Sequence, residues 1–158
     1  MHYKVIDNFL KNDEFVFLKN KMLSNDFPWF FNEHSCEDNI SHYQFIHIFY
    51  NQNKRPFYET VEPLVKKINP ITIERIKANC NTKTSEVIET GLHQDSLDKK
   101  FTSSVFFIND CDGYCKVEEK KVFSKANRLV TFKSSAPHTG STCTNKSRRV
   151  LINLMYII

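Results

Sequence analysis
Beyond Asn69-Pro70 the chain breaks into short apolar runs, roughly Ile71 to Cys80, Thr102 to Asn109, Tyr114 to Val117, Arg128 to Lys133 and Arg149 to Ile158. They are rich in Ile, Val, Phe and Thr, residues that suit a pleated, half-buried surface. Turns such as Asp112-Gly113 join the later runs, and no helix-length segment lies between them. Strands connected this way pair antiparallel, which predicts a mainly β, double-sheet jelly roll rather than a parallel α/β sheet. Tyr43 to Tyr50 reads as an earlier strand of the same kind.

Helices are expected mainly within residues 1–70, flanking a jelly-roll core over about 71–158. Asn12-Asp13-Glu14 precedes Phe15, Leu18, Met22 and Leu23, one apolar face behind an N-terminal cap. Phe57, Val61, Leu64, Val65 and Ile68 form a second stripe, with Pro56 suited to its first turn and Pro63 placed to kink it. A length of 158 residues fits a single domain with one core. The polar stretch 81–91 reads as a loop, and Asn51 to Arg55 as a polar connection.

Net charge of +4 without clustered Lys/Arg blocks argues against a nucleic-acid partner. No apolar run reaches membrane-spanning length. The five cysteines, Cys36, Cys80, Cys111, Cys115 and Cys143, are odd in number and irregularly spaced. With no secretory signal evident, they read as reduced thiols in a cytoplasm. Cys111-x3-Cys115 lacks a second pair and reads as a turn followed by a strand residue rather than a zinc site.

His93-Gln94-Asp95 carries the chemistry. On an extended strand His93 and Asp95 point to the same face while Gln94 points away. Two imidazoles and a carboxylate can cap one face of iron(II) and leave three positions for reactants, whereas a structural zinc site favours thiolates and four protein ligands. By chance alone, 6 histidines and 18 acidic residues give roughly 0.7 His-x-Asp/Glu matches, so the motif needs its context. That context is Pro137-His138-Thr139-Gly140, read as a turn closing Leu129 to Phe132, and Arg149 entering the last strand.

In this order the elements resemble the 2-oxoglutarate/iron(II) dioxygenases, specifically small prolyl-hydroxylase-like members similar to oxygenases of marine bacteriophages. The resemblance runs from about Phe45 to Ile158 and rests on Arg75 to Asn79, His93-x-Asp95, Phe106 to Asn109, Asp112-Gly113-Tyr114, Asn127 to Phe132 and His138 to Arg149. It implies a cupin-like double-stranded β-helix with His93, Asp95 and His138 as catalytic metal ligands, using iron(II), 2-oxoglutarate and dioxygen. The implied reaction is hydroxylation of a peptide or protein side chain, proline being one candidate. Alternatives are a free amino acid or small metabolite as substrate, or a non-catalytic cupin-like binding module. A phage source would place the protein in the host cytoplasm.

Arg149 is expected to grip the distal carboxylate of 2-oxoglutarate, because a planar guanidinium can hold it bidentately. Strand parity groups Arg149, Leu151 and Asn153 on one face and the competitor Arg148 with Val150, Ile152 and Leu154 on the other, and the resemblance implies that the first of these faces is the inner one. Phe107 stands where many relatives resemble one another in having a tyrosine for the same carboxylate, and Cys80 where prolyl-hydroxylase relatives often carry tyrosine. Ser103, Asn79 and Asn153 are candidates for the missing polar contact. His47 reads as a satisfied core histidine, with a pocket-facing ring as the alternative, Trp29-Phe30-Phe31 as core or helix-to-sheet packing, with a substrate rim as the alternative, and His2, His34 and His42 have no partner pattern.

Overall fold
The computed structural model describes residues 3–33 and 43–158. His2, His34, His42 and Cys36 lie outside the described residues. The elements are β1 (Tyr3–Ile6), α1 (Asn12–Leu23), β2 (Phe30–Asn32), β3 (Gln44–Asn51), β4 (Asn53–Lys54), α2 (Glu62–Ile68), β5 (Thr72–Thr82), β6 (Thr102–Phe107), β7 (Tyr114–Val117), β8 (Lys120–Phe123), β9 (Arg128–Lys133), β10 (His138–Gly140) and β11 (Arg148–Ile157). An eight-stranded sheet runs β1-β9-β6-β11-β5-β3-β2, with β4 hairpinned onto β3, and a smaller sheet runs β10-β7-β8. Among the described residues these strands pair antiparallel throughout, as expected for a jelly roll.

Alternation along the central strands separates two cores. On β11, Val150, Ile152 and Leu154 pack with Phe15, Leu18, Met22 and Leu64 of the helices, and on β5 Ile76, Ala78 and Cys80 do the same. The opposite face of the large sheet meets the small one through Val105, Phe107, Cys115, Val117, Val130, Phe132 and Leu151. Burying a side chain such as Leu18 stabilises by about 1.5–3 kcal/mol, so the helices are fixed on the outer face and leave the inner one to the site.

Three local expectations change. Pro63 does not kink a long helix: a 3-10 turn over Tyr58–Thr60 ends at Val61, and Pro63 sits in the first turn of the separate α2, where its missing N–H costs nothing. Pro137 to Gly140 is not a turn, because His138–Gly140 pairs with Cys115–Val117 as β10. Trp29 packs on the outer core, yet Phe30 and Phe31 are exposed at 60% and 62% on the edge strand β2. The polar connection after β3 forms a tight hairpin through Gln52 at φ 61°.

Candidate metal centre and its cavity
Residues 83–95 do not form a free loop but run beside β10 and lengthen the small sheet. Glu89 pairs with Ser141 and His93 with His138, both antiparallel. Three residues lie between the pairs on one side and two on the other, so this segment carries a one-residue bulge, with Gly91 at φ 99° inside it. Beyond the bulge the amide of Asp95 donates to the Ser134 carbonyl at 3.0 Å, which fixes the end of the segment.

One ligand atom each from His93, Asp95 and His138 lies within 4.8 Å of the other two. Both imidazoles are turned by their own backbone: Nδ1 of His93 faces the Gly91 carbonyl at 3.2 Å, and Nδ1 of His138 the Ala136 carbonyl at 3.0 Å. A carbonyl only accepts, so each Nδ1 carries the proton and each Nε2 keeps its lone pair, the tautomer that metal binding requires. Nε2 of His138 lies 3.6 Å from Asp95 Oδ2. Burial lowers the pKa of His138 against the opposing pull of Asp95, favouring the neutral ring. Asp95 is held on both oxygens: Ser103 donates to Oδ2 at 2.5 Å, and Arg75 Nη2 pairs with Oδ1 at 3.3 Å.

The triad lines a cavity of about 850 Å³ between the sheets. Arg149 forms its far end, only 1% exposed. Its Nε donates to Ser124 Oγ at 2.7 Å and Nη1 to the Ser141 carbonyl at 3.1 Å, while Nη2 is buried without a partner. A Cβ on Gly113 would come within 2.5 Å of both Arg149 Cδ and the Thr142 carbonyl, so glycine there gives the guanidinium its space. Asn81, the cross-strand neighbour of Arg149, also lines the cavity and has a buried, unpartnered Oδ1. A buried donor left unanswered costs about 1–3 kcal/mol, so this end is built for a polar ligand. The donor set fits a carboxylate there and a hexacoordinate divalent metal at the triad.

Strand parity places Arg149, Leu151 and Asn153 in the cavity, as expected, and turns Arg148 outward, where Nη2 donates to the Leu23 carbonyl at 2.6 Å. Asn79 and Asn153 also line it, joined by an Asn153 Nδ2 to Asn79 Oδ1 bond of 3.3 Å, and Asn79 donates to Gln44 Oε1 at 2.7 Å. Ser103 is the exception: instead of facing the distal-carboxylate end, its hydroxyl is taken by Asp95 and Ser134, because β6 carries it behind Asp95. Phe107 is fully buried with its ring centroid 5.4 Å from Arg149 Cζ, backing the guanidinium. The ring nitrogens of His47 face the Pro28 and Pro56 carbonyls at 2.9 and 3.2 Å, and the ring packs among Phe27, Phe49 and Phe57, outside the cavity that holds the triad. Cys115 is buried with its thiol pushed up to about 12 by burial, and it joins no metal cluster among the described residues. Sequence reasoning missed Asn81 and Lys77; the inward parity of β5 was the available signal for both.

No protein-family profile and no curated protein sequence matches the chain. Solved structures do. A prolyl hydroxylase from Trichoplax adhaerens, in complex with a hypoxia-inducible-factor peptide, aligns with a TM-score of 0.74 at 16% identity, covering 99% of this chain and 83% of that one. The α-ketoglutarate-dependent epimerase SnoN of nogalamycin biosynthesis gives 0.73 at 10%, covering 99% and 77%. HygX from Streptomyces hygroscopicus, with nickel, 2-oxoglutarate and hygromycin B bound, gives 0.66 at 10%, covering 99% and 82%. The fold of this chain is thus the double-stranded β-helix. Among the described residues no helix is long and apolar enough to cross a membrane.

Proposed function
We propose that this chain is an iron(II)- and 2-oxoglutarate-dependent dioxygenase that hydroxylates its substrate. The observation that carries the reading is the pairing, in one cavity, of the converged His93, Asp95 and His138 with a buried Arg149 whose Nη2 has no partner. His93, Asp95 and His138 would hold the iron, and Arg149 would hold the distal carboxylate of 2-oxoglutarate, with Asn81 beside it. Bound together, the metal and cosubstrate supply oxygen activation coupled to decarboxylation to succinate and carbon dioxide. The chain supplies positioning: backbone carbonyls orient the imidazoles, Ser103 and Arg75 orient Asp95, and the apolar inner core backs the site against water.

We take a peptide or protein side chain, proline first, as the leading substrate, supported by the similar prolyl hydroxylase with its bound peptide. A small metabolite is the second reading, supported by the likeness to SnoN, solved in complex with nogalamycin RO, and to HygX, solved with hygromycin B. A bacteriophage-type oxygenase working in a host cytoplasm remains part of the proposal, supported by the motif resemblance and the unpaired described cysteines. Succinate release by the anaerobically reconstituted chain, measured on adding oxygen, tests the reaction. It should require iron(II) and vanish in His93→Ala, Asp95→Ala and His138→Ala. Iron-independent release, or near-normal release by any of these folded variants, would sink the assignment, and complete inactivity of the wild-type chain would favour a binding module.

A further inference from the structure
Arg149 has a role in the reaction proposed above, but two further cations of the same cavity do not. Arg75 and Lys77 stand on the inward face of β5 with Asn79 and Asn81. The β5–β11 register sets Asn81 opposite Arg149 and Lys77 opposite Asn153, so Lys77 lies four residues, roughly 13 Å, along the sheet from Arg149. That separation assigns Arg75 and Lys77 to a different ligand from the one at the Arg149 end.

The charge balance gives the sign of that ligand. Among the described lining residues Arg75, Lys77 and Arg149 face one carboxylate, Asp95. A divalent metal and a doubly charged diacid cancel each other, so loading the cavity with both leaves its cationic excess in place. Arg75 is engaged at Asp95, 3.3 Å away, whereas Lys77 makes no hydrogen bond or ion pair with a described residue. Its amine is lowered to about 8, first by burial and then by Arg75, against a smaller opposing pull from Asp95. With Arg75 held by Asp95 and Arg149 taken by the diacid, Lys77 is the cation left for this ligand, and a carboxylate suits it. The amides of Asn79 and Asn153 stand beside it to complete the contacts.

We infer that Lys77, with Arg75 beside it, forms a carboxylate-binding subsite, and that the primary substrate is an acid that presents its carboxylate there. The inference rests on the oxygenase reading, since that reading removes 2-oxoglutarate to Arg149. The carboxylate belongs either to a free amino acid or to an acidic side chain of a peptide, and the same chemistry serves both.

The test is calorimetric titration of the whole chain loaded with manganese(II) and 2-oxoglutarate in the absence of oxygen. Probes are pairs differing at one carboxylate: L-amino acids against their carboxamides, and acetyl-Pro-Glu-amide against acetyl-Pro-Gln-amide. At least one acid should bind tenfold or more tightly than its amide, and the pair that does so identifies the source. Lys77→Arg should keep the preference, Lys77→Met should remove it and Lys77→Glu should reverse it. Equal binding of acids and amides, no binding of either, or an undiminished preference in Lys77→Met would each overturn the inference. So would a loss of 2-oxoglutarate affinity in Lys77→Met as large as that in Arg149→Ala, which would return Lys77 to the cosubstrate. Iron-dependent succinate release by the wild-type chain is read separately, so a failure of the oxygenase reading is seen apart from a failure of the subsite.

Discussion
Replacing Lys77 with methionine should stabilise the metal-free protein while damaging the site. The pKa of Lys77 falls from its ordinary 10.5 to about 8 in the fold, so folding disfavours the charged amine. At about 1.4 kcal/mol per unit the full cost approaches about 3.4 kcal/mol, and solvent in the open cavity reduces this to about 1–2 kcal/mol. Methionine keeps the stem and removes the charge. The sign follows from linkage: below pH 8 both folded and unfolded chains carry the charge, and the penalty is full. As pH rises from 8 towards 10.5 the folded chain loses its proton first, and the penalty disappears. Urea denaturation in the presence of a chelator, at intervals from pH 6 to about 11, should therefore show Lys77→Met ahead by about 1–2 kcal/mol at neutral pH, with the gap closing above pH 8. A less stable variant, or a gap that does not change with pH, would refute the claim that Lys77 is held at a cost to the fold. A stabilising loss of a buried cation is expected only where function retains it.

Arg149→Ala should weaken 2-oxoglutarate binding about tenfold to more than a hundredfold, by titration, while Arg148→Ala, which loses a bond to the Leu23 carbonyl, should lower stability by about 1 kcal/mol and spare cosubstrate affinity. Ser103→Ala should weaken manganese(II) binding about tenfold, because Asp95 loses the hydroxyl that orients it; unchanged affinity would make Ser103 a packing residue only. Gly113→Ala should cost about 1–3 kcal/mol in thermal denaturation and reduce 2-oxoglutarate affinity by displacing the Arg149 side chain; a fully stable variant with normal affinity would contradict the crowding at this position. Gly91→Ala should cost about 1–3 kcal/mol through its φ of 99° and lower metal affinity with it, and unaltered metal binding would show that the bulge does not position the ligands.

Long alternating strands were legible in the sequence because both faces are specified at once. Arg148–Ile157 presents Val150, Ile152 and Leu154 to the helices and Arg149, Leu151 and Asn153 to the cavity, and only one register satisfies both. Tyr114–Val117 apart, the short strands were not. Lys120–Phe123 buries Val122 alone, and His138–Gly140 is bounded by Pro137 and ends in glycine, so local pattern favoured a turn where tertiary pairing made a strand. Ser103 was misread for a related reason. Its residue type fits a carboxylate contact anywhere, and only the packing of β6 behind Asp95 determines which carboxylate it meets.

The candidate metal ligands were found in the sequence for a partly insufficient reason. A straight strand does put His93 and Asp95 on one face, but it does not say which face. Glu89 points away from the cavity, where it accepts from the Tyr114 hydroxyl at 2.8 Å and from Lys116 Nζ at 2.7 Å. In an unbroken strand, positions 89, 93 and 95 share a face, and both ligands would follow Glu89 outward and leave His138 alone. The extra residue at Gly91 and Leu92 reverses the parity, so that His93 meets His138 across the sheet and Asp95 follows it inward. His-x-Asp spacing specifies that two ligands act together, and the glycine two residues before the histidine decides that they act inside the barrel. A glycine at that point in a polar stretch reads as an ordinary loop residue, and its consequence becomes visible only once Glu89 and His93 are each paired with β10 and the residue that follows it.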